Sequence, residues 1–301
     1  MLRLVVVQKL EEKRLKQRER ASKYLRKRRK LFLRTKENDK DYGENCQKPD
    51  MTSLEYNQCK EEFLKNLPSA EEDRRQIEKS TILQRDSSEW LELRRKLLTA
   101  SNFAKVVNRR QNTSVRNLVK NIIYPKNLSN VPSLKHGIEH EAIAAEQIAS
   151  QLNIKIEPCG LFIDKKFPFL GATPDGIVGT DTIIEIKCPI TAFKTSLDEA
   201  INNKKVLFWR KTKNGLVINK KHPWYIQVQG QLHITDRRKC IFGVWSGCDK
   251  DIKFEIIERD DQYWEQMEAK LENFYITCML PELCDPRHVR NMPIRDLSEL
   301  K

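Results

Sequence analysis

Gly171 to Pro189 reads GATPDGIVGTDTIIEIKCP. Asp175 follows a proline, and nine residues later comes a Glu-x-Lys, Glu185 and Lys187, set among isoleucines. Gly179, Thr180 and Asp181 separate two apolar runs, which predicts strands over 170–178 and 182–188 joined by a short turn. Side chains alternate along a strand, so Glu185 and Lys187 share one face and Ile184 and Ile186 the other. Ile183 sits on the Glu185 face, so the strand is apolar beyond simple alternation. Charges in a buried strand are costly unless they have a task. The competing reading is an exposed hairpin with a surface Glu–Lys pair, which contributes little. Pairing the strands brings Asp175 and Glu185 within reach of one hard cation. Mg²⁺, with Mn²⁺ as a substitute, takes oxygen ligands, few protein carboxylates and several waters. The Ile186 carbonyl adds an oxygen on the same strand. Lys187 points into the same space, where it can hold a metal-polarised water or offset charge on a phosphate.

The helix expected at 138–152 adds a carboxylate. Ile138, Ala142, Ala145, Ala149 and Leu152 recur with amphipathic spacing. At 100° per residue Glu141 falls between Ile148 and Leu152, at the edge of the apolar stripe, and wants a cation. Glu139 falls on the far flank and reads as a solvated acid of the first turn. Glu141 is therefore the candidate third metal ligand.

Elsewhere, Asp86 and Glu89 read as a capping box for a helix carrying Trp90, Leu91 and Leu93, and a second helix starts near residues 99–101. Strands are expected at 156–163, 239–246 and 252–258, and helices at 192–204, 223–235 and 260–277. Residues 205–222 are basic and loop-like, with a short hairpin around Asn214-Gly215. The order predicts an α/β core with a mixed sheet rather than a doubly wound parallel one.

The net charge of +14 is uneven: residues 1–45 hold 16 Lys/Arg against 7 Asp/Glu, leaving +5 for the other 256. Residues 1–36 read as a basic helical arm, 37–60 as a polar linker, 61–279 as the folded domain and 280–301 as an irregular tail. Arg26, Lys27, Arg28, Arg29 and Lys30 form a compact basic cluster, read as a phosphate-binding patch or a nuclear localisation signal. A basic arm implies a polyanion partner, most simply nucleic acid, with a solvated charged helix as the alternative. The eight cysteines include no Cys-x-x-Cys pair, and Leu4 to Val7 is too short for a signal or membrane segment, so the expectation is an intracellular chain with reduced thiols and no membrane partner. In a eukaryote the basic cluster would make it nuclear, otherwise it is cytoplasmic. Cys278, Cys284 and His288 are three potential zinc ligands whose spacing matches no common zinc module.

Four segments in order, HGIEHEAIAAEQI, GATPDG, IIEIKCP and WYIQVQGQLHIT, make the chain resemble the YqaJ-type viral recombinases. These are similar to phage lambda exonuclease and lie within the PD-(D/E)xK nucleases. The resemblance spans roughly residues 88–246 and implies a restriction-endonuclease-like core flanked by helices. It puts the family's aspartate, glutamate and lysine on Asp175, Glu185 and Lys187, its helix glutamate on Glu141, and its Gln-x-Gln on Gln227 and Gln229, with Gln227 beside the metal. It also gives WLELRRKLLTASNF a role: Arg94 and Ser101 correspond to a phosphate-binding arginine and serine, where the residues alone suggest only a surface charge and an N-cap. The implied function is a Mg²⁺-dependent deoxyribonuclease, an exonuclease acting on duplex ends in recombination or repair, with DNA as partner and a homo-oligomer as one allowed arrangement. The alternatives are a catalytically quiet DNA-binding protein on the same fold and a mobile-element endonuclease.

Overall fold

A computed structural model describes residues 50–110, 112–126, 131–213, 215–247 and 252–297. The expected basic helix and its cluster at 26–30 lie outside these residues. Helices α1 (Ser53–Lys65), α2 (Glu71–Ser80) and α3 (Ser88–Lys96) lead into strand β1 (Leu98–Thr99), followed by α4 (Ala100–Val107), α5 (Arg116–Ile123) and the long α6 (Pro132–Leu152). Strands β2 (Phe162–Ile163), β3 (Leu170–Ala172), β4 (Gly176–Val178) and β5 (Thr182–Lys187) come next, then α7 (Ile190–Lys194) and α8 (Leu197–Asn202). A hairpin of β6 (Trp209–Thr212) and β7 (Gly215–Ile218) precedes α9 (Pro223–Ile234), β8 (Lys239–Val244), β9 (Lys253–Glu258) and α10 (Asp261–Phe274). A π turn, Tyr275–Met279, joins α10 to α11 (Leu280–Cys284).

The central sheet runs β4-β5-β8-β9 and is mixed, as expected. β5 is antiparallel to β4 but parallel to β8, with Glu185 opposite Phe242. β5 is covered on both faces, the reason its sequence is nearly continuous isoleucine. Ile184 and Ile186 pack with Ala144 and Ile148 of α6 and with Trp245. Ile183 packs on the other side with Phe208, Val228, Leu232 and Phe242. A smaller sheet, β1-β3-β2, holds the larger core together with α4, α5 and α10.

The single strand expected over 170–178 is broken. β3 belongs to the small sheet and β4 to the central one, and the crossing is Thr173-Pro174-Asp175. Pro174 has no N–H to keep a ladder going, and its carbonyl is held by the Gln84 amide at 3.1 Å and the Cys159 thiol at 3.4 Å. The strand expected over 156–163 likewise shrinks to β2 and one bridge from Glu157 to Ile177. The helix expected at 192–204 is split into α7 and α8.

The ends also depart from expectation. Residues 37–60 read as a linker, yet α1 starts inside that range because Thr52 and Glu55 form a reciprocal capping box. The cap of α3 is Ser87, which accepts from the Trp90 N–H at 3.2 Å, and not Asp86, which ends a 3₁₀ turn. The tail expected to be irregular from residue 280 holds α11 and a 3₁₀ turn, His288–Arg290, and is irregular between and beyond them through Leu297. Leu280, Glu282, Cys284 and Asp285 are buried, and Asp285 accepts from Arg290 at 2.7 Å and from Arg295. Asp50 takes the same arginines and Arg287, tying the start of the described chain to its end.

Cys278, Cys284 and His288 do not converge: both thiols lie in the core and the His288 ring packs on Tyr124 at 4.7 Å. Among the described residues, no helix is long and apolar enough to cross a membrane.

Candidate active site

The break between β3 and β4 leaves Asp175 at the head of the hairpin. Its N–H donates to the Ile184 carbonyl at 3.0 Å, and its carboxylate accepts the Ile186 N–H at 2.6 Å. Those two bonds fix Asp175 against β5, one residue either side of Glu185. Glu185 is 1% exposed. One of its oxygens accepts from the Lys187 ammonium and from the Gln227 amide at 2.6 Å; the other accepts from the Gln231 amide at 2.7 Å. A buried carboxylate is tolerated only when paired and hydrogen-bonded, and here every donor comes from β5 itself or from α9.

Burial first, then the nearby Glu185 charge, raises the Asp175 carboxyl well above its ordinary range; Lys187 opposes this. The Lys187 amine is also raised: burial acts to lower it, but Glu185 and Asp175 outweigh that effect. Glu141 is raised by burial, with Arg85 at 3.7 Å opposing and Glu185 reinforcing. So three carboxyl groups share this space with the Lys187 ammonium and, at the rim, the Arg85 guanidinium, and acids outnumber bases by one.

The fold family implies a divalent metal, and the donors present fit one. The set is all oxygen, and mutual repulsion of buried carboxylates is relieved by a cation. Among the described residues no three His, Cys, Asp or Glu side chains close on one point.

A second cluster adjoins the first. Arg94 on α3 lies over the Trp90 ring at 4.2 Å and donates to the Ser101 hydroxyl at 3.2 Å. Burial pushes its pKa down to about 10, and no carboxylate pairs with it among the described residues. Buried Thr99 caps nothing; its hydroxyl meets that of Ser101 at 3.2 Å. Lys105 sits near enough for the Arg94 charge to lower its pKa, after burial. The two clusters are joined directly, because the Trp90 indole donates to the Thr173 hydroxyl at 3.0 Å and Thr99 pairs with Gly171.

Of the candidate residues, the structure brings Glu185, Lys187 and Gln227 into contact, holds Asp175 against the same strand, and joins Arg94 to Ser101. Ile186 meets Asp175 through its N–H, and Glu141 stands at the rim beside Arg85. Reading alone missed Gln231 as a donor; its position four residues after Gln227 on one helix was the available signal. Arg85 and Lys105 lie in none of the quoted motifs, and Thr173 lies in GATPDG without a role read for it. Gln229 does a different job, holding the Glu258 carbonyl and the Asp260 N–H.

Residues 89–238 match the model of the YqaJ-like viral recombinase domain. No curated protein is significantly similar in sequence. Among solved structures, the alkaline exonuclease LHK-Exo from Laribacter hongkongensis is similar at 25% identity and a TM-score of 0.51, over 66% of this chain and 94% of that one. The same figures hold for LHK-Exo in complex with dAMP. A phage-related exonuclease from Haemophilus somnus 129PT aligns at 17% identity and a TM-score of 0.44, over 62% of this chain and 94% of its own. The motif order, the mixed sheet with its broken hairpin and the matched segment agree: residues 89–238 are a YqaJ-like viral recombinase domain on a PD-(D/E)xK exonuclease fold.

Proposed function

We propose that the protein is a metal-dependent deoxyribonuclease, an exonuclease that processes duplex DNA ends in recombination or repair. The observation that carries this is Glu185: a buried carboxylate saturated by Lys187, Gln227 and Gln231, set one residue from the Asp175 anchor. Such an arrangement is expensive to hold in a core and has no packing purpose. The similarity to an alkaline exonuclease supports the same reading.

Asp175 and Glu185, with the Ile186 carbonyl, would hold the cation, Mg²⁺ or Mn²⁺, and Glu141 at the rim would add negative charge beside it; when bound, the cation would supply Lewis acidity and lower the pKa of a bound water so that it attacks near neutrality. Lys187 keeps its proton and offsets negative charge that builds on the phosphate. Gln227 and Gln231 lock the Glu185 rotamer, so the acid does not have to reorganise during the reaction. Arg94, Ser101 and Lys105 form a cationic pocket for a neighbouring phosphate, and Trp90 fixes its distance from Thr173 and hence from Asp175.

The reading is tested with end-labelled linear duplex and covalently closed circular DNA. Linear DNA should be degraded from its ends with Mg²⁺, and EDTA should stop it. Closed circles should survive; their cleavage would favour an endonuclease. No cleavage of linear, nicked or single-stranded DNA by folded wild-type protein would leave only a DNA-binding role.

A further inference from the structure

No Asp or Glu occurs between Glu199 and Asp236, whereas Lys204, Lys205, Arg210, Lys211, Lys213, Lys220 and Lys221 fall within that span. Those seven charges exceed the +5 carried by everything beyond residue 45, so the rest of that region is net acidic. All seven side chains are exposed. Lys220 pairs with Asp260 at 3.2 Å, and Lys211 reaches the Asn202 amide oxygen at 3.5 Å. The other five meet no carboxylate among the described residues. They cluster on and around the β6–β7 hairpin, where Arg210 lies opposite Val217 and Lys211 opposite Leu216.

The hairpin is not a loose loop, although two strands alone are marginally stable. Its base is set in the core. Phe208 is fully buried and meets Phe242 at 4.4 Å. Trp209 is 2% exposed, and its indole donates to Glu255 at 2.8 Å. Asn219 donates through its backbone N–H to the Phe208 carbonyl at 2.7 Å and through its side-chain amide to the Leu207 carbonyl at 3.1 Å. Phe242 is the register partner of Glu185, and the hairpin runs directly into α9, which carries Gln227 and Gln231. One aromatic layer therefore separates the root of this basic element from the catalytic strand.

We infer that the β6–β7 hairpin is a basic finger that grips the phosphate backbone of the DNA being cut, on the α9 side of the site. This rests on the nuclease reading above. Its physical basis is counterion release: each phosphate neutralised adds about 0.9 to the slope of log affinity against log salt. A finger rooted on the catalytic sheet keeps its cations in register with the cutting site, which a charged tail on a linker does not.

The test uses the full chain carrying Asp175→Asn, so that binding is read without cleavage, and a labelled blunt duplex between about 50 and 200 mM salt. Combined with Arg210→Ala, Lys211→Ala and Lys213→Ala, the slope should fall by about one to three units and affinity should drop most at low salt. Thermal denaturation should be unchanged, since all three side chains are exposed. A control with Lys135→Ala and Lys155→Ala, exposed lysines outside the hairpin, should bind like the parent. An unchanged slope in the triple variant, with a parent that binds DNA, would overturn the finger and leave the nuclease reading standing. A parent with no DNA affinity at any salt would overturn the nuclease reading and the finger with it.

Discussion

At the scale of single residues, the site is a set of polar groups that each depend on a particular neighbour. Gln231 is the clearest case. It is 1% exposed and satisfies the Glu185 oxygen that Lys187 and Gln227 leave open. Gln231→Met should destabilise the fold by about 1–3 kcal/mol, the cost of an unsatisfied buried acceptor, and should lower cleavage as well. Denaturant titration and initial rates check both. His222 gives a pH prediction away from the metal ligands. Its ring nitrogen accepts the Trp224 N–H at 3.2 Å as the N-cap of α9, and burial holds its pKa down to about 4. A folded-state pKa below the unfolded value of 6.5 means the stabilisation is fully present above that value and is lost as pH falls towards about 4. His222→Asn keeps a cap without the titration, so its stability should be flatter across that window. A wild-type slope in the variant would remove His222 as the cause. Asp175, Glu185 and Lys187 were legible in the sequence because proline, period-two alternation and isoleucine context mark them together. Arg85 was not, because its role depends on a helix 56 positions away in the chain.

At the scale of elements, the decisive contact is between α4, which presents Ser101, and α9, which presents Gln227. Gly230 of α9 lies directly on the Phe103 ring: a Cβ there would stand 2.5 Å from it. Phe103 is fully buried and in contact with Trp264 at 6.0 Å, so it cannot swing away freely. Gly230→Ala should therefore cost about 1–3 kcal/mol by overpacking. It should also move the phosphate cluster relative to the catalytic one, raising KM for DNA along with lowering kcat. A variant as stable and active as wild type would show that the helices do not set this spacing. Helix α6 was readable by periodicity from Ile138 onward though it begins at Pro132, α9 was readable from Pro223 at its start, and α10 and strands β5, β8 and β9 from their apolar pattern. The crossing at residues 173–175 was not, because GATPDGIV alternates well enough for one strand; Pro174 was the only local warning. Residues 37–60 misled for the opposite reason: polar composition hid the Thr52–Glu55 box.

At the scale of the whole molecule, the described chain is closed by a clasp that no local pattern announces. Asp50 and Asp285 share Arg290 and Arg295, with Arg287 added on Asp50. Asp285 is 5% exposed, so Asp285→Ala removes one of the two carboxylates that Arg290 and Arg295 share, leaves Asp50 to face both, and should destabilise by about 3 kcal/mol. Asp50 is held below the usual carboxylate range mainly by its bond to Arg287. That contribution is present above pH 3.8 and is lost on further acidification. The clasp escaped prediction because its members are 235 positions apart in sequence and carry ordinary surface residue types. The same whole molecule must do the chemistry, and the most direct measurement is the initial rate of linear duplex degradation in Mg²⁺ for wild type, Asp175→Asn, Glu185→Gln and Lys187→Ala, each shown to be folded and to bind the duplex. The account predicts losses of about 10²–10³-fold or more in each variant. Degradation by any of the three at the wild-type rate would contradict it.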